Sequence, residues 1–198
     1  MTVVVAADCT GHGVPGAFMS MLGTAFFNEI VIKSGVTKAC QILNQLRDNV
    51  IKALHQTGKE GESQDGMDLA LIVFDHTNNT AEFAGAFNPL IYISNNEITV
   101  IKANKMPVGF HRKHEADFTS ELLPVKKGDV FYIFSDGYAD QFGGPNKRKF
   151  MSKTFRQLLF DIHTKPMKEQ HAILDQTLED WKEGVDQVDD ILVIGVRW

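Results

Sequence analysis

The sequence predicts a layered α+β protein in which helices cover the outer faces of stacked antiparallel sheets. Two pairs of amphipathic segments flank a central region of short apolar runs, and turn residues separate these runs. The resulting order is one strand, two helices, about six strands, two helices and a last strand. This order lacks the β-α-β alternation of a doubly wound sheet, and 198 residues suffice for one domain.

The N-terminal elements follow from the spacing of apolar residues. Residues Thr2 to Ala6 are rich in valine and predict a fully buried strand that ends at Asp8. A glycine-rich turn follows, and then a helix that ends at Gly35. Thr37 is the expected N-cap of a second helix. The predicted buried stripes are Phe18, Met21, Leu22, Ala25, Phe26 and Ile30 in the first helix, and Ile42, Leu43, Leu46, Val50 and Leu54 in the second.

The central and C-terminal elements follow from a change to period-two patterning after residue 66. Turn formers at 77–79, 88–89 and 95–96 predict antiparallel hairpins between successive strands. The predicted strands are Leu69–Asp75, Thr80–Phe87, Leu90–Ser94, Glu97–Lys102, Ala116–Leu123, Val130–Phe134 and Ile191–Val196. The predicted helices are Ser152–Ile162 and Met167–Trp181.

Composition and charge exclude several classes of function. The formal charge of −5 offers no basic field for a phosphate backbone, so we expect no nucleic-acid partner. The longest apolar runs are far shorter than the roughly 20 residues of a membrane span, and we expect no membrane contact. The N-terminus has no basic segment of a secretory signal, and the two cysteines lack metal-site spacing. These features predict a cytoplasmic protein.

Acidic residues follow or precede three strongly apolar strands. Asp8 comes after VVVAA, Asp136 after VFYIFS, and Asp189 with Asp190 before ILVIGV. A carboxylate at the end of a buried strand is held rigidly and still faces solvent. Oxygen ligands of this kind suit Mg²⁺ or Mn²⁺ better than zinc. Brought together, these residues would form a cation site, although a single aspartate at a turn is more often a turn former or a helix cap.

The glycine-rich turn also suggests two other kinds of site. Residues 11–16 match G-x-G-x-x-G, but a second helix follows where a dinucleotide fold needs a strand that ends in an acid. Cys9 suggests a nucleophilic cysteine, but no arginine lies in the same loop to hold a phosphate. A nucleotide-binding module therefore stays a minor alternative, and Cys9 is better explained as a buried side chain.

The motifs AADCTGHGVPGAFMSMLG, FAGAFNPLIYI, MPVGF, GDVFYIFSDGYAD and DDILVIGV occur in this order over nearly the whole chain. Together they resemble the SpoIIE/RsbU branch of the PPM (protein phosphatase 2C-like) metal-dependent serine/threonine phosphatases. The resemblance implies a four-layer α-β-β-α sandwich of two mainly antiparallel sheets, with a centre for two Mn²⁺ or Mg²⁺ ions between the sheets.

The resemblance also assigns roles to individual residues. Asp8 corresponds to the carboxylate that bridges both metals, and Cys9 to the residue whose backbone carbonyl is the neighbouring ligand. Asp136 and Asp189 correspond to further ligands. The weaker candidates are Asp140 and Asp190 as ligands, Asp68 as a ligand with less support, and His12 as a general acid that lies two residues later than the family's histidine.

The implied activity is hydrolysis of phosphoserine or phosphothreonine by a water molecule that two metals activate. The implied partners are a phosphorylated anti-anti-sigma protein of the STAS type, an upstream sensor domain and, as an open question, a second copy of the chain. Relatives in this branch begin with a further strand that carries a GGD-F-Y-like motif. We therefore expect residues 1–198 to form one domain that is truncated at its N-terminus and excised from a larger protein. The alternative is a regulatory module that keeps the fold without turnover.

Overall fold

The computed structural model describes residues 1–11, 13–59, 61–62, 64–111 and 116–198. The strands are β1 (Thr2–Cys9), β2 (Met67–Asp75), β3 (Thr80–Ala86), β4 (Leu90–Ser94), β5 (Glu97–Ile101), β6 (Glu121–Pro124), β7 (Val130–Phe134), β8 (Phe142–Gly143), β9 (Arg148–Lys149) and β10 (Val193–Arg197). The helices are α1 (Gly13–Phe27), which continues as a π-helical segment over Asn28–Lys33, α2 (Ala39–Ala53), the short α3 (Gly137–Asp140), α4 (Ser152–Ile162) and α5 (Met167–Lys182).

The chain forms the predicted four-layer sandwich. One sheet has the strand order β1-β2-β3-β6 and the other the order β10-β7-β4-β5, and every pairing between these strands is antiparallel in the part of the chain described. Ile72, Phe83 and Phe131 belong to the core between the sheets. Further apolar layers join the first sheet to α1 and α2, and the second sheet to α4 and α5. An antiparallel sandwich is incompatible with a doubly wound dinucleotide-binding fold.

The prediction of a fully buried first strand is wrong. β1 pairs with β2 on one side and is the edge of its sheet among the described strands. Ala6 alone is fully buried in β1, while the valines at 3, 4 and 5 are half-buried. A run of valines predicts strand geometry, but whether both faces are covered depends on the neighbouring layers.

The predicted buried stripe of the first helix is also wrong in part. Phe18 and Met21 are 61% and 69% exposed, whereas Gly16, Met19 and Gly23 are buried. A Cβ at Gly23 would lie 2.8 Å from the Sδ of Met67 in β2, so the helix packs on the sheet through small residues. By length and composition alone, the helical segment Gly13–Lys33 could span a membrane, since it has 21 residues and contains an 18-residue stretch with a mean hydropathy of 1.2. The expectation that every apolar stretch is far too short for a span is therefore wrong for this helix, of whose 18-residue stretch 22% is buried.

Three local predictions differ from the structure. Lys38, not Thr37, precedes α2, and the Ala39 N–H donates to Glu82 Oε2 at 3.2 Å, so a neighbouring strand supplies the cap. The 88–89 turn joins β3 to β4, which lie in different sheets and form no hairpin. The predicted strand at 116–123 is reduced to β6. The hairpins at 76–79 and 95–96 are confirmed.

Candidate metal centre and its relatives

Three carboxylates converge at one end of the sandwich. Asp8 lies near the end of β1, Asp136 follows β7, and Asp189 precedes β10. One carboxylate oxygen of each residue lies within 4.8 Å of the corresponding oxygens of the other two. They line a cavity of about 620 Å³ together with Asp68 and Asp190. Residues from both sheets therefore form one acidic site.

Hydrogen bonds hold the last segment of this site beside Asp136. The Ser135 N–H donates to the Leu192 carbonyl at 3.0 Å, and the Ser135 hydroxyl donates to the Asp190 carbonyl at 2.9 Å. A Cβ at Gly137 would lie 2.4 Å from the Asp190 carbonyl oxygen, closer than any side chain permits. The SDG sequence therefore fixes the two strand ends together, because its serine bridges them and its glycine allows their close approach.

The electrostatics of the site favour a cation. Burial, and then the charges of Asp189, Asp136 and Asp190, together raise the pKa of Asp8 to about 6. Burial and the charges of Asp189 and Asp140 also raise the pKa of Asp136. Carboxylates that face one another at such distances repel, and a bound divalent cation would remove this repulsion. The donor set, consisting of oxygens only, fits Mn²⁺ or Mg²⁺.

Asp68, the less supported ligand candidate of the sequence analysis, lies beside the converging carboxylates. It lies in β2 directly opposite Asp8 of β1 and lines the same cavity. Burial, and then the charges of Asp136 and Asp8, raise its pKa to about 6. The sequence signal for Asp68 is its position inside the apolar run of GMDLALIVFD, where a charged side chain is unusual. The register that places it opposite Asp8 depends on the pairing of two strands far apart in sequence.

The two weaker ligand candidates have different positions. Asp140 lies one helical turn after Asp136, and its Oδ2 accepts a hydrogen bond from Lys149 Nζ at 2.8 Å, so an ion pair already engages it. Asp190 lines the cavity, and its N–H donates to Asp189 Oδ1 at 2.8 Å. Asp190 is therefore the better placed of these two residues to join the three converging carboxylates as a ligand.

The remaining predicted site residues are Cys9, which is the last residue of β1, and His12. The Cys9 side chain packs against the apolar layer under α1 and α2, and burial raises its thiol pKa. A buried thiol of raised pKa is a poor nucleophile, which agrees with the structural explanation of Cys9. His12 lies outside the described residues, and its role as a general acid stays a prediction.

The family model of stage II sporulation protein E (SpoIIE) matches residues 1–198. The chain belongs to the SpoIIE family. The match spans the whole sequence, including all of the acidic residues that form the site. The SpoIIE-family resemblance stated from the motifs is thereby confirmed, and the chain is a phosphatase domain of the PP2C type.

Solved structures show the same fold. The SiaA-PP2C domain of Pseudomonas aeruginosa has a TM-score of 0.87 and 28% identity, over 99% of this chain and 75% of that one. The PP2C domain of SpoIIE from Bacillus subtilis has a TM-score of 0.73 and 19% identity, over 98% and 54%. PstP, a Mycobacterium tuberculosis serine/threonine phosphatase solved with two manganese ions, has a TM-score of 0.65 and 16% identity, over 98% and 86%. No curated protein matches this SpoIIE-family domain.

Proposed function

We propose that this SpoIIE-family domain is a Mn²⁺- or Mg²⁺-dependent phosphatase that hydrolyses phosphoserine and phosphothreonine in proteins. The observation that carries the proposal is the convergence of Asp8, Asp136 and Asp189 within 4.8 Å of one another. The raised pKa values of Asp8 and Asp136, caused by burial and by the neighbouring acids, support the same conclusion, because a bound cation would offset these charges. The two manganese ions in PstP, a phosphatase of the same fold, make two ions the expected number.

The proposed ligands combine the family resemblance with the geometry. As the resemblance implies, Asp8, the backbone carbonyl of Cys9, Asp136 and Asp189 would hold the cations. Asp68 is added from the structure, because it lines the cavity opposite Asp8. Asp190 and Asp140 are proposed for more weakly held ligation.

Bound divalent cations supply a water of lowered pKa and neutralise charge on the phosphoryl group. The residues of the chain supply the position: the carboxylates are fixed on strand ends and on the SDG turn, so their charges do not have to reorganise when substrate arrives. Ser135 and Gly137 keep the segment that carries Asp189 and Asp190 at its place. His12 is proposed to protonate the departing seryl or threonyl oxygen.

The proposal is tested by hydrolysis of p-nitrophenyl phosphate with Mn²⁺. Asp8→Asn is expected to lower kcat by about a hundredfold or more, since the variant removes a charged oxygen ligand that would hold the cations. The matched control is Asp180→Asn, which removes an exposed carboxylate on α5 and should leave the rate unchanged. Equal activity of Asp8→Asn and the native protein, or full activity in excess chelator, would sink the proposal.

The alternative, a regulatory module without turnover, predicts a different result. Isothermal titration would then detect Mn²⁺ binding, while no phosphorylated protein or small phosphate ester is hydrolysed. Such a module retains the carboxylate cluster as a structural or sensing site. The two functions are therefore separated by measuring metal binding and hydrolysis on the same preparation.

We propose a phosphorylated STAS-type anti-anti-sigma protein as the substrate and an upstream sensor domain in the same protein as the regulator, with the domain in the cytoplasm. SpoIIE-family membership supports this proposal. The rate of phosphate release from such a STAS protein is to be compared with the rate from phosphorylated casein. Equal kcat/KM values for both would remove the STAS protein as the preferred substrate. Light scattering of the purified domain tests for a homodimer.

A further inference from the structure

An apolar groove of about 460 Å³ starts at the carboxylate cluster. Asp68 and Asp136 line both this groove and the cavity of the candidate metal centre, so the two spaces adjoin at these residues. Away from the acids the lining becomes apolar. The apolar lining residues are Ile91, Val100, Phe134 and Phe155.

One wall of the groove is the turn between β3 and β4, where Phe87 is 44% exposed. Phe87 has a φ of +59°, a region that bulky residues rarely adopt. Its N–H donates to the Asn104 carbonyl at 2.9 Å, which holds the backbone in this conformation. Strained backbone conformations of this kind are concentrated at ligand-binding positions. The sequence thus keeps an aromatic ring at the groove where asparagine or glycine would fit the backbone better.

Another part of the lining is the first part of α4, which contributes Arg156. The Arg156 Nε donates to the Ser152 carbonyl at 3.2 Å, and within the described ranges no carboxylate lies within 4 Å of this guanidinium. Its remaining N–H groups are suited to a phosphate or a carboxylate. The positive charge of Arg156, at the edge of an otherwise acidic region, can therefore attract an anionic group of a peptide.

We infer that this groove binds the residues that flank the phosphorylated serine or threonine of a protein substrate, and that it selects an apolar flanking side chain. The inference rests on the proposed function. A phosphoryl group at the carboxylate cluster places the next residue of an extended peptide about 3.5 Å further along the chain, at the entrance of the groove. Phe87 contacts the flanking side chain, and Arg156 pairs with an anionic group of the peptide.

Three substrates test the groove: free phosphoserine, and two synthetic phosphoserine peptides that differ only in having leucine or glycine on both sides of the phosphorylated residue. With Mn²⁺, the native protein is expected to show a kcat/KM about tenfold higher for the leucine peptide than for the glycine peptide, as one apolar side chain in a pocket commonly provides. Equal kcat/KM values for the two peptides would overturn the inference.

The decisive variant is Phe87→Asn, because asparagine adopts positive φ readily and the fold is expected to persist. It should reduce the preference for leucine to less than about threefold, whereas Phe87→Leu should restore most of it. The control is Leu122→Asn, which removes an exposed apolar side chain of β6 that lines neither the groove nor the metal cavity. An equal loss of kcat/KM on free phosphoserine and on the leucine peptide in Phe87→Asn contradicts the role of Phe87.

Arg156→Gln identifies the anionic group. A similar fall in kcat/KM on all three substrates indicates that Arg156 contacts the phosphate. A further phosphoserine peptide carries an added glutamate, and a fall in kcat/KM on this peptide but on none of the other three indicates that Arg156 contacts a carboxylate. If kcat/KM changes on none of these substrates, the proposed role of Arg156 in substrate binding is wrong. Hydrolysis of no substrate at all overturns the proposed function and this inference together, whereas hydrolysis without preference overturns the groove alone.

Discussion

Asp8 and Asp68 lie directly opposite each other in the antiparallel pair formed by β1 and β2. Like charges in such a cross-strand pair destabilise a sheet. Burial, together with the surrounding acids, raises the pKa of each residue to about 6. The metal-free fold therefore tolerates repulsion at a place where a bound cation would turn the same charges into ligands.

Protonation of this pair should make the stability of the metal-free protein depend on pH. In the unfolded chain an aspartate titrates near pH 3.9, so between about pH 4 and pH 6 the folded state binds more protons at these sites. Their contribution to the free energy of unfolding is therefore fully present below about pH 4 and is lost as the pH rises through about 6. We expect Asp68→Asn to lose less stability than the native protein between pH 4 and pH 7 in chelator, as followed by thermal unfolding.

Asp75→Asn is the matched control for that pH dependence, because the shift at Asp75 has the opposite sign. Hydrogen bonds from the Asn78 side chain and from the backbone at Asn78 and Thr77 lower the pKa of Asp75. Its contribution is therefore present above about pH 4 and lost as the pH falls. If Asp68→Asn and Asp75→Asn change the pH profile in the same direction, the assignment of the Asp68 effect to burial and to the neighbouring charges is wrong.

Removal of metal should lower the unfolding temperature. Mn²⁺ at about a hundredfold above its Kd is expected to raise Tm by roughly 5–10 °C over the protein in chelator. Asp8→Asn should abolish this increase and Asp68→Asn should reduce it, because Asp8 is one of the three converging carboxylates and Asp68 lines the cavity beside them. Differential scanning calorimetry gives the measurement, and an unaltered Mn²⁺ effect in Asp8→Asn would contradict the ligand assignment.

Substitution of Gly137 should damage the metal site through the backbone. The added Cβ in Gly137→Ala meets the Asp190 carbonyl oxygen, so the segment that carries Asp189 has to move. We expect Mn²⁺ affinity in isothermal titration to fall about tenfold or more, as for other groups that position metal ligands. Gly128→Ala serves as the control: φ at Gly128 is +96° and its Cβ would meet no atom, so this variant should lose stability and retain Mn²⁺ affinity.

Loss of the Cys9 thiol should have little effect on turnover. Burial raises the pKa of this thiol, and the side chain packs in the apolar layer under α1 and α2. Cys9→Ala is therefore expected to hydrolyse p-nitrophenyl phosphate within tenfold of the native rate, whereas removing a true nucleophile lowers kcat by about a millionfold. A loss of the latter size, or a phosphocysteine adduct detected by mass spectrometry, would favour cysteine chemistry.

Local patterns were sufficient for much of the fold. The stripe of α2 is buried at Ile42, Leu43, Leu46 and Val50, as its period predicts, and the bounds of α4 are those predicted. In α1 the same method failed at Phe18 and Met21, because that helix is apolar on all sides and packs through its glycines. Periodicity identifies a buried face only when the other face is polar.

The sequence by itself determined the layered α+β class and placed Asp8, Asp136 and Asp189 next to apolar strands, since strand ends are encoded by short-range patterns. Only the tertiary structure decided that these strand ends meet at one end of the sandwich and that Asp68 joins them through the register of β1 with β2. It also decided that Phe87 and Arg156 line the same groove. The physical reason is that such relationships arise from contacts between strands and helices far apart in the chain. No local spacing of residues specifies them.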